Sequence, residues 1–313
     1  MRICFMGTPD FALPALNALH KENEIIAVFT QPDKPKGRGN KLSPSPVKKR
    51  ALELNLPVYQ PVKVRDKAVL AMVEELQPHI IVVVAYGQIL PQKLLDIPVF
   101  GAINIHGSLL PKYRGAAPIQ WAVINGELTT GVTIMQMDKD MDTGDIILTE
   151  EISIENNTSG EVFEKLSVLG AEAVIKALTL IKSGVSFQKQ DNTKATYAPI
   201  LTKEMAEIDW HKTTKEILNL IRGLNPWPVA HTVIEGRSLK IWKAGAAEYR
   251  GYPGEIIKAD PKNGLIIATK DGAVYIEEIQ GKGGKRMKGK EYLRGNSFGN
   301  RRETTGDCPA SFV

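Results

Sequence analysis

Two polar residues of complementary chemistry stand two positions apart at the end of an apolar segment. The segment Val99 to His106 indicates a strand, and Asn104 and His106 are among its last residues. Side chains alternate along a strand, so these two would project from the same face. An amide that donates hydrogen bonds and an imidazole that carries a proton suit the stabilisation of a developing oxyanion. Taken alone, the pair also fits a surface asparagine beside a histidine bonded to the backbone.

The elements that must position this pair alternate between strands and helices over residues 1–185. Apolar segments predict strands at Arg2 to Met6, Glu24 to Thr30, Ile80 to Ala85, Val99 to His106 and Ile146 to Ile154. Helices are predicted from about Asp10, from Ser45-Pro46 to Leu54, from Arg65 to Leu76, from Ala116 to Asn125 and from Ser159 to Lys182. This alternation is typical of an open, doubly wound, mostly parallel α/β sheet, which binds its ligands at the carboxyl edge of the strands.

The remaining residues predict a second, smaller domain. The polar stretch 186–203 lacks helical periodicity, which favours a linker. Beyond it, Thr213 and Glu216 are spaced as a capping box, and turn signals at Pro261 to Gly264 and at Asp271-Gly272 separate short strands. We therefore predict an α/β domain over 1–185, a linker over 186–203, a small β-barrel domain over 204–298 and a tail over 299–313.

Composition narrows the class of protein. Of the 313 residues, 43% are hydrophobic and 24% are charged, as in ordinary globular proteins. Cys4 and Cys308 lack the spacing of a disulfide or a metal site, which is typical of a reducing compartment, and Cys4 fits a strand core. Pro9 and Asp10 interrupt any signal peptide, and the run Ile80 to Ala85 is far shorter than the ~20 residues of a membrane helix. We expect a soluble, cytoplasmic protein without membrane contact.

The turn after the first predicted strand argues against one common class of α/β enzyme. A nicotinamide-dependent dehydrogenase would carry GxGxxG there, with glycines that let the backbone approach a pyrophosphate. This chain has Met6-Gly7-Thr8-Pro9-Asp10, with one glycine and a proline that lacks an N–H donor. The turn therefore does not predict a dinucleotide site.

Two motifs carry a resemblance to a known family. The segment Ser108 to Ile119, SLLPKYRG followed by AAPI, resembles the signature of the folate-dependent formyltransferases. The segment Met141 to Asp145 resembles the second catalytic loop of that family, and the two motifs stand in the family's order and at about its spacing. The resemblance extends to roughly Phe298. It implies a Rossmann-like formyltransferase domain and 10-formyltetrahydrofolate as co-substrate.

The resemblance implies roles for three residues. Asn104 and protonated His106 would hydrogen-bond the oxygen of a tetrahedral intermediate, while Asp142 would pair with His106 and help proton transfer from the attacking amine to the leaving nitrogen. No metal is expected, and a calcium loop from Asp138 fails because threonines occupy positions six and twelve, where Gly and Glu are needed. The resemblance places pterin contacts at Gln88, Ile89, Leu90, Ser108, Leu109, Leu110 and Pro111.

The family formylates several amines, so the acceptor needs its own argument. Enzymes for glycinamide ribonucleotide resemble the first domain only, whereas those for an aminated sugar nucleotide also carry a second domain. The segment Gln31 to Leu42 holds four cations and two glycines between a predicted strand and a helix, an unusually long loop. It resembles the basic loop with which methionyl-tRNA formyltransferases grip the acceptor stem. The resemblance assigns that role to Arg38 first, then to Lys36 and Lys41.

The second domain adds basic charge. The net charge of +5 lies in the C-terminal third. From Lys203 onward the sequence contains 19 Lys and Arg and 14 Asp and Glu. This distribution fits a polyanionic partner, although a solvated surface is the alternative. In the family this domain resembles an oligonucleotide-binding barrel, whose grooves contact nucleic acid. Trp210, Trp227 and Trp242 could stack on bases, but we predict that they belong to the core.

Three hypotheses follow. The leading one is an enzyme, expected to be a monomer, that formylates methionyl initiator tRNA for translation initiation. The second is a formyltransferase for a small amine such as an amino-sugar nucleotide. The third is a catalytically idle RNA-binding module on a transferase fold, against which the presence of Asn104, His106 and Asp142 argues. Steep salt dependence of tRNA binding would distinguish the first from the second.

Overall fold

The computed structural model describes residues 1–36 and 41–299, and for Lys36 and Lys41 it describes the backbone alone. The chain divides into two compact units. The first unit comprises Met1–Ala122 and Glu127–Ile200, and the second comprises Val123–Gly126 and the chain from Leu201 onward. Each unit has its own principal sheet.

The first unit is built around a mixed sheet with helices. The described strands before residue 201 are β1 (Arg2–Gly7), β2 (Glu24–Phe29), β3 (Lys34–Lys36), β4 (Lys41–Ser43), β5 (Val58–Tyr59), β6 (Ile80–Val84), β7 (Ala102–His106), β8 (Arg114–Gly115), β9 (Thr129–Gln136), β10 (Ile146–Ser153) and β11 (Tyr197–Ala198). The α-helices in this part are α1 (Leu13–Glu22), α2 (Pro46–Glu53), α3 (Lys67–Leu76), α4 (Gln92–Leu95), α5 (Pro118–Ile124) and α6 (Ser159–Ser183).

Seven of these strands form one sheet in the order β10-β9-β7-β6-β1-β2-β5. The neighbours from β7 to β5 pair in parallel, whereas β9 runs antiparallel to both β7 and β10. The sheet confirms the prediction of a mostly parallel, doubly wound α/β fold. Its antiparallel edge is the part that the sequence analysis did not specify.

The central strands are buried on both faces. Cys4 and Met6 of β1 pack in one cluster with Val73 of α3 and Leu94 of α4. The intervening Phe5 is equally inaccessible, at 0% exposure. Burial on both sides explains why the sequence shows continuous apolar runs rather than alternation. Burial also raises the pKa of the Cys4 thiol to about 12, so Cys4 is an inert core residue.

Strand β9 was missed by the sequence analysis. Its apolar residues are interrupted by Thr130, Gly131 and Thr133, and polar residues inside a short run weaken a strand prediction. In the structure Thr130 and Thr133 are nevertheless buried, at 3% and 0% exposure. His106 of β7 pairs with Thr133, and β9 then runs back along β7, so that the N–H of Met137 donates to the carbonyl of Ala102 at 2.8 Å.

The second unit is an antiparallel β-domain. Its described strands are β12 (His231–Ile234), β13 (Arg237–Ala247), β14 (Ile256–Asp260), β15 (Gly264–Ala268), β16 (Ala273–Gly281) and β17 (Met287–Lys288), with helices α7 (Thr214–Gly223) and α8 (Gly289–Gly295). The strands curl into a half-barrel in the order β12-β13-β16-β15-β14, with β17 on β16. The turns predicted at residues 261–264 and 271–272 join β14 to β15 and β15 to β16.

The tryptophans of the second unit differ from their predicted core positions. Trp227 is 54% exposed, so the prediction is wrong for this residue. Trp210 and Trp242 are half-buried, and their indole N–H groups donate to Thr232 Oγ1 at 3.0 Å and to Gln280 Oε1 at 3.0 Å. The polar edge of an indole needs such a partner, which favours positions at the margin of a small core.

The predicted helix ends are well defined. Ser45 Oγ accepts a hydrogen bond from the N–H of Lys48 at 3.0 Å, and Thr213 and Glu216 form the capping box predicted for α7. Helix α6 begins with a capping box of Thr158 and Glu161. Among the helices that the structure describes, none is both long and apolar enough to cross a membrane.

We expect Thr158→Ala to lower the free energy of unfolding by about 1 kcal/mol, because the N–H of Glu161 loses its side-chain acceptor at the start of α6. Chemical denaturation would measure the change. Thr179→Ala, at an exposed position inside the same helix, should change the value by less than about 0.5 kcal/mol. Equal effects of the two substitutions would contradict a specific capping role.

Candidate active site

The imidazole of His106 lies at the end of β7 and is 5% exposed. Its Nε2 atom lies 2.9 Å from the carbonyl oxygen of Tyr113. A carbonyl only accepts hydrogen bonds, so Nε2 carries the hydrogen. The other ring nitrogen, Nδ1, faces the Oδ1 atom of Asp142 at 3.7 Å. The ring is therefore held between two oxygen acceptors, a carbonyl and a carboxylate.

Asp142 reaches this position from the connection between β9 and β10. Its Oδ2 atom accepts a hydrogen bond from the N–H of Gly115 at 2.8 Å, which fixes the carboxylate. The distance of 3.7 Å between Oδ1 and His106 Nδ1 exceeds a direct hydrogen bond. The carboxylate can thus stabilise a protonated imidazole electrostatically, while the Nδ1 hydrogen remains available to a third atom.

The loop that carries Asp142 is tightly folded. Asp142 has a φ of 57°, in the left-handed region. At Gly144 a Cβ atom would stand 1.7 Å from the carbonyl oxygen of Gln136, so only glycine fits. The side chain of Asp138, once considered for calcium, instead accepts from Thr143 Oγ1 at 2.7 Å and from the N–H of Asp140 at 3.1 Å. These contacts give the acidic stretch a structural role in the turn.

Asn104 lies two residues before His106, on the same face of β7. Its backbone pairs with Val83 of β6 and Met135 of β9, and its side chain is partly exposed. Within residues 1–36 and 41–299 no side-chain hydrogen-bond partner is recorded for its amide. The amide can therefore donate to a bound ligand. The structure brings His106 and Asp142 to within 3.7 Å of each other and places Asn104 on the same face of β7 as His106.

The signature loop after β7 uses Ser108 to fold itself. Ser108 is fully buried, and its Oγ atom donates to the carbonyl of Lys112 at 2.6 Å. Thr133 Oγ1 donates to the Ser108 carbonyl at 2.6 Å and accepts from the N–H of Leu110 at 3.1 Å. Leu110 is also buried, so within this loop the partly exposed Leu109 and Pro111 can offer side-chain surface to a ligand.

The second predicted pterin segment follows β6. Gln88 Oε1 accepts from the N–H of Val64 at 2.8 Å, and its Nε2 donates to the carbonyl of Pro61 at 3.2 Å. Leu90 is 3% exposed and belongs to the core, whereas Ile89 is 76% exposed. The exposed side chain of Ile89 offers an apolar surface in the segment that follows β6. The side chains of Gln88 and Leu90 shape the segment, which leaves only their main chain for ligand contacts.

Tyr86 was missed by the sequence analysis. Its carbonyl accepts from Thr8 Oγ1 at 2.8 Å and from Gln31 Nε2 at 3.3 Å, which ties together the segments after β1, β2 and β6. The side chain is 1% exposed, and among the described residues its hydroxyl is the one buried side-chain polar atom without a hydrogen bond. Burial raises the pKa of the Tyr86 hydroxyl to about 12. No spacing or motif in the sequence distinguishes this tyrosine.

The basic segment is partly a hairpin rather than the loop that was predicted. Strands β3 and β4 pair antiparallel, with Lys36 opposite Lys41. Arg38 lies outside the described residues. At the base of the hairpin Asp33 pairs with Lys48 at 2.8 Å and accepts from Gln60 Nε2 at 2.7 Å. The hydrogen bonds from Lys48 and then Gln60 lower the pKa of the Asp33 carboxyl.

The stretch 186–203, predicted as a linker, makes ordered contacts with the signature loop. Tyr197 and Ala198 of β11 pair in parallel with Arg114 and Gly115 of β8. Gly115 has a φ of 118°, and a Cβ atom there would stand 2.8 Å from the carbonyl of Ala198. A polar stretch without periodicity gives no sequence signal for such pairing.

Comparison with known proteins identifies the family. Residues 1–178 match the family model described as formyl transferase, and residues 200–297 match that of the formyl transferase C-terminal domain. A methionyl-tRNA formyltransferase of Clostridioides difficile is 50% identical over 303 residues, which cover 95% of this chain and 98% of that protein. One of Geobacter metallireducens is 50% identical over 298 residues, which cover 94% and 96%. This chain belongs to the methionyl-tRNA formyltransferase family.

Solved structures share the fold at lower identity. An N-formyltransferase of Helicobacter canadensis, in complex with folinic acid and dTDP-3-aminofucose, gives a TM-score of 0.68 at 21% identity and covers 92% of this chain and 100% of that one. A methionyl-tRNA formyltransferase from Clostridium thermocellum gives 0.57 at 19% identity over 79% and 94%. HypX from Aquifex aeolicus, in complex with tetrahydrofolic acid, gives 0.62 at 19% identity over 94% and 47%. These likenesses concern the fold alone.

We expect Gly144→Ala to reduce formyl transfer at least about 10-fold, because the added methyl group displaces the loop and moves Asp142 relative to His106. Initial rates with saturating substrates would measure the loss. Gly295→Ala adds a methyl group where no atom lies within 4 Å, and its rate should stay within about twofold of the unsubstituted enzyme. A fully active Gly144→Ala enzyme would show that the close approach at Gln136 does not position the carboxylate.

Proposed function

We propose that this enzyme transfers the formyl group of 10-formyltetrahydrofolate to the amino group of methionyl initiator tRNA, in the cytoplasm, for translation initiation. The observation that carries the proposal is the arrangement around His106. A buried imidazole faces a carboxylate at 3.7 Å, and the side-chain amide of Asn104, which has no hydrogen-bond partner among the described residues, lies on the same face of β7. Charge stabilisation and proton transfer at one reacting carbon require this set of groups.

The reaction begins when the amine nitrogen of methionine attacks the formyl carbon on the folate nitrogen. A new C–N bond forms, and the carbonyl electrons move to oxygen, which becomes negative in the tetrahedral intermediate. Asn104 and the Nδ1 hydrogen of His106 donate hydrogen bonds to that oxygen. The carbonyl then re-forms as the bond between carbon and the folate nitrogen breaks.

Proton transfer completes the exchange. The attacking nitrogen loses a proton and the departing folate nitrogen gains one, so the net charge of the reactants is unchanged. Asp142 stabilises the protonated form of His106 and accepts or relays this proton. The N–H of Gly115 holds the carboxylate in place by its 2.8 Å hydrogen bond. No metal is needed for this sequence of steps.

Folate as the formyl donor is supported by chemistry and by distant relatives. The Helicobacter canadensis and Aquifex aeolicus structures are complexes with folinic acid and tetrahydrofolic acid. In this chain Ile89, Leu109 and Pro111 expose apolar surface in the loops that follow β6 and β7, which suits a pterin ring. The 10-formyl derivative is the proposed form because it is the co-substrate that the resemblance to the folate-dependent formyltransferases implies.

Methionyl-tRNA as the acceptor is favoured over a sugar nucleotide. Relatives named methionyl-tRNA formyltransferases are about half identical over nearly the whole chain. The second unit also presents exposed cations around β17, namely Lys282, Lys285, Arg286, Lys288, Lys290 and Arg294. We assign catalysis to residues 1–185, tRNA binding to residues 204–298 and to Arg38, Lys36 and Lys41, and no function to the tail 299–313.

We expect His106→Ala and Asn104→Ala each to reduce the turnover number about 10²- to 10³-fold, because each removes one donor to the developing oxyanion. Asp142→Ala should abolish measurable turnover. Formylation of charged initiator tRNA, with unfolding curves to confirm folding, would measure these effects. Near-normal turnover by either His106→Ala or Asp142→Ala would exclude the proposed mechanism.

We expect Arg38→Ala to weaken the use of tRNA while folate binding stays unchanged, because a phosphate contact gives affinity for nucleic acid only. KM for initiator tRNA should rise and become less sensitive to salt. Folate titration of the same variant is the control. Equal losses for both substrates would contradict the assignment, and efficient formylation of an amino-sugar nucleotide by the unsubstituted enzyme would favour the alternative acceptor.

A further inference from the structure

The segment Gln190–Ala198, which follows α6, contacts both loops of the candidate active site. We call it the clip. Sequence analysis interpreted this stretch as part of a linker. The mechanism proposed for Asn104, His106 and Asp142 assigns it no role. Its side chains and backbone nevertheless bond to the loop after β7 and to the loop between β9 and β10. Each contact is made to a residue that supplies a partner of His106 or to its neighbour in the chain.

One half of the clip holds the carbonyl that accepts from His106. Thr196 Oγ1 accepts from the N–H of Tyr113 at 2.9 Å, and the Thr196 carbonyl accepts from the N–H of Arg114 at 2.8 Å. The carbonyl of Tyr113 lies between these two anchored N–H groups. Tyr113 itself has a φ of 62°, a left-handed conformation that a tyrosine adopts only when its surroundings impose it.

The other half of the clip holds the carboxylate loop through a single side chain. Gln190 Nε2 donates to the carbonyl of Asp142 at 2.9 Å and to the carbonyl of Gly144 at 2.7 Å. Gln190 Oε1 accepts from Arg114 Nε at 3.1 Å and from its Nη2 at 2.6 Å. Both ends of the Gln190 amide are therefore hydrogen-bonded, and this side chain joins the two loops to each other.

Arg114 explains why an amide stands at this position. Arg114 is 4% exposed, and within the described residues its guanidinium donates to the neutral oxygens of Gln190 and Asn192. A buried cation needs acceptors, while the carbonyls of Asp142 and Gly144 need donors. A glutamine side chain supplies one acceptor oxygen and two donor hydrogens, and so satisfies both requirements.

We propose that the clip sets the positions of the two groups that hold His106, and that Gln190 is a positioning residue for formyl transfer. The inference rests on the proposed function for its rate measurements. Gln190 does not touch His106 or the reacting atoms. It acts by fixing the backbone of Asp142 relative to Arg114, whose neighbour Tyr113 carries the other partner of the imidazole.

The test is Gln190→Glu. A carboxylate keeps the acceptor for Arg114 but cannot donate to the carbonyls of Asp142 and Gly144. The substitution therefore removes only the hydrogen bonds that position the loop. The expected result is a kcat at least about 10-fold lower, with KM for methionyl-tRNA changed less than about threefold and a cooperative unfolding transition that shows the variant is folded. Amide hydrogen exchange over residues 138–145, followed by mass spectrometry, should become faster because the loop loses two anchors.

The matched control is Gln188→Ala. Gln188 is the same residue type two positions earlier, its side chain is exposed, and its bonds to Ile146 involve the backbone alone. Its kcat and its exchange over residues 138–145 should equal those of the unsubstituted enzyme. Gln190→Glu with kcat within about twofold of that enzyme, or with a lower kcat but unchanged exchange, would overturn the inference.

A second variant covers failure of Gln190→Glu to fold. Thr196→Val keeps the shape and the backbone bond to Arg114 but removes the acceptor for the N–H of Tyr113. A lower kcat at unchanged melting temperature would support the clip, and an unchanged kcat would overturn it. If the unsubstituted enzyme does not formylate methionyl-tRNA, the proposed function fails, whereas the exchange measurement still decides whether Gln190 anchors the 138–145 loop.

Discussion

The structure depends on one requirement: a nearly inaccessible imidazole must have a hydrogen-bond acceptor at one ring nitrogen and a carboxylate near the other. Charging a buried group costs desolvation energy unless opposite charge or hydrogen bonds compensate it. His106 meets this requirement with a carbonyl on one side and a carboxylate on the other. The two acceptors come from Tyr113 and Asp142, which are distant in sequence. Two loops therefore have to be positioned accurately around the imidazole, and the end of one strand cannot do this alone.

The antiparallel edge of the sheet makes this possible. Strand β9 leaves the end of β7 at His106 and returns to Ala102, roughly 13 Å away at the usual rise per residue. The connection to β10 then crosses back so that Asp142 reaches the imidazole. Gly144 permits the tight approach of this connection to β9. A purely parallel sheet would send the chain away through a helix instead, and the carboxylate would have to come from another element.

The sequence predicted most of the parallel sheet and the pair Asn104 and His106, because apolar runs and strand alternation are local signals. The position of Asp142 followed only from a motif, since no local rule brings it back across β9. Strand β9 was missed because buried threonines look polar in a sequence. Gln190 was missed for a different reason: it lies in a polar stretch, where no periodicity in the sequence marks a side chain that makes several hydrogen bonds. Local patterns thus predicted the scaffold, while long-range polar contacts required coordinates.

The bridge between Gln188 and Ile146 has a consequence beyond the active site. Strand β10 is the outermost strand on its side of the sheet, and such a strand presents unpaired backbone groups to which another chain can add. The two backbone hydrogen bonds of Gln188, at 2.7 and 2.9 Å, occupy the first of these groups at Ile146. Further along, Glu150 and Glu151 place charge on the same strand. The chain thereby shields its own exposed border from edge-to-edge association between molecules.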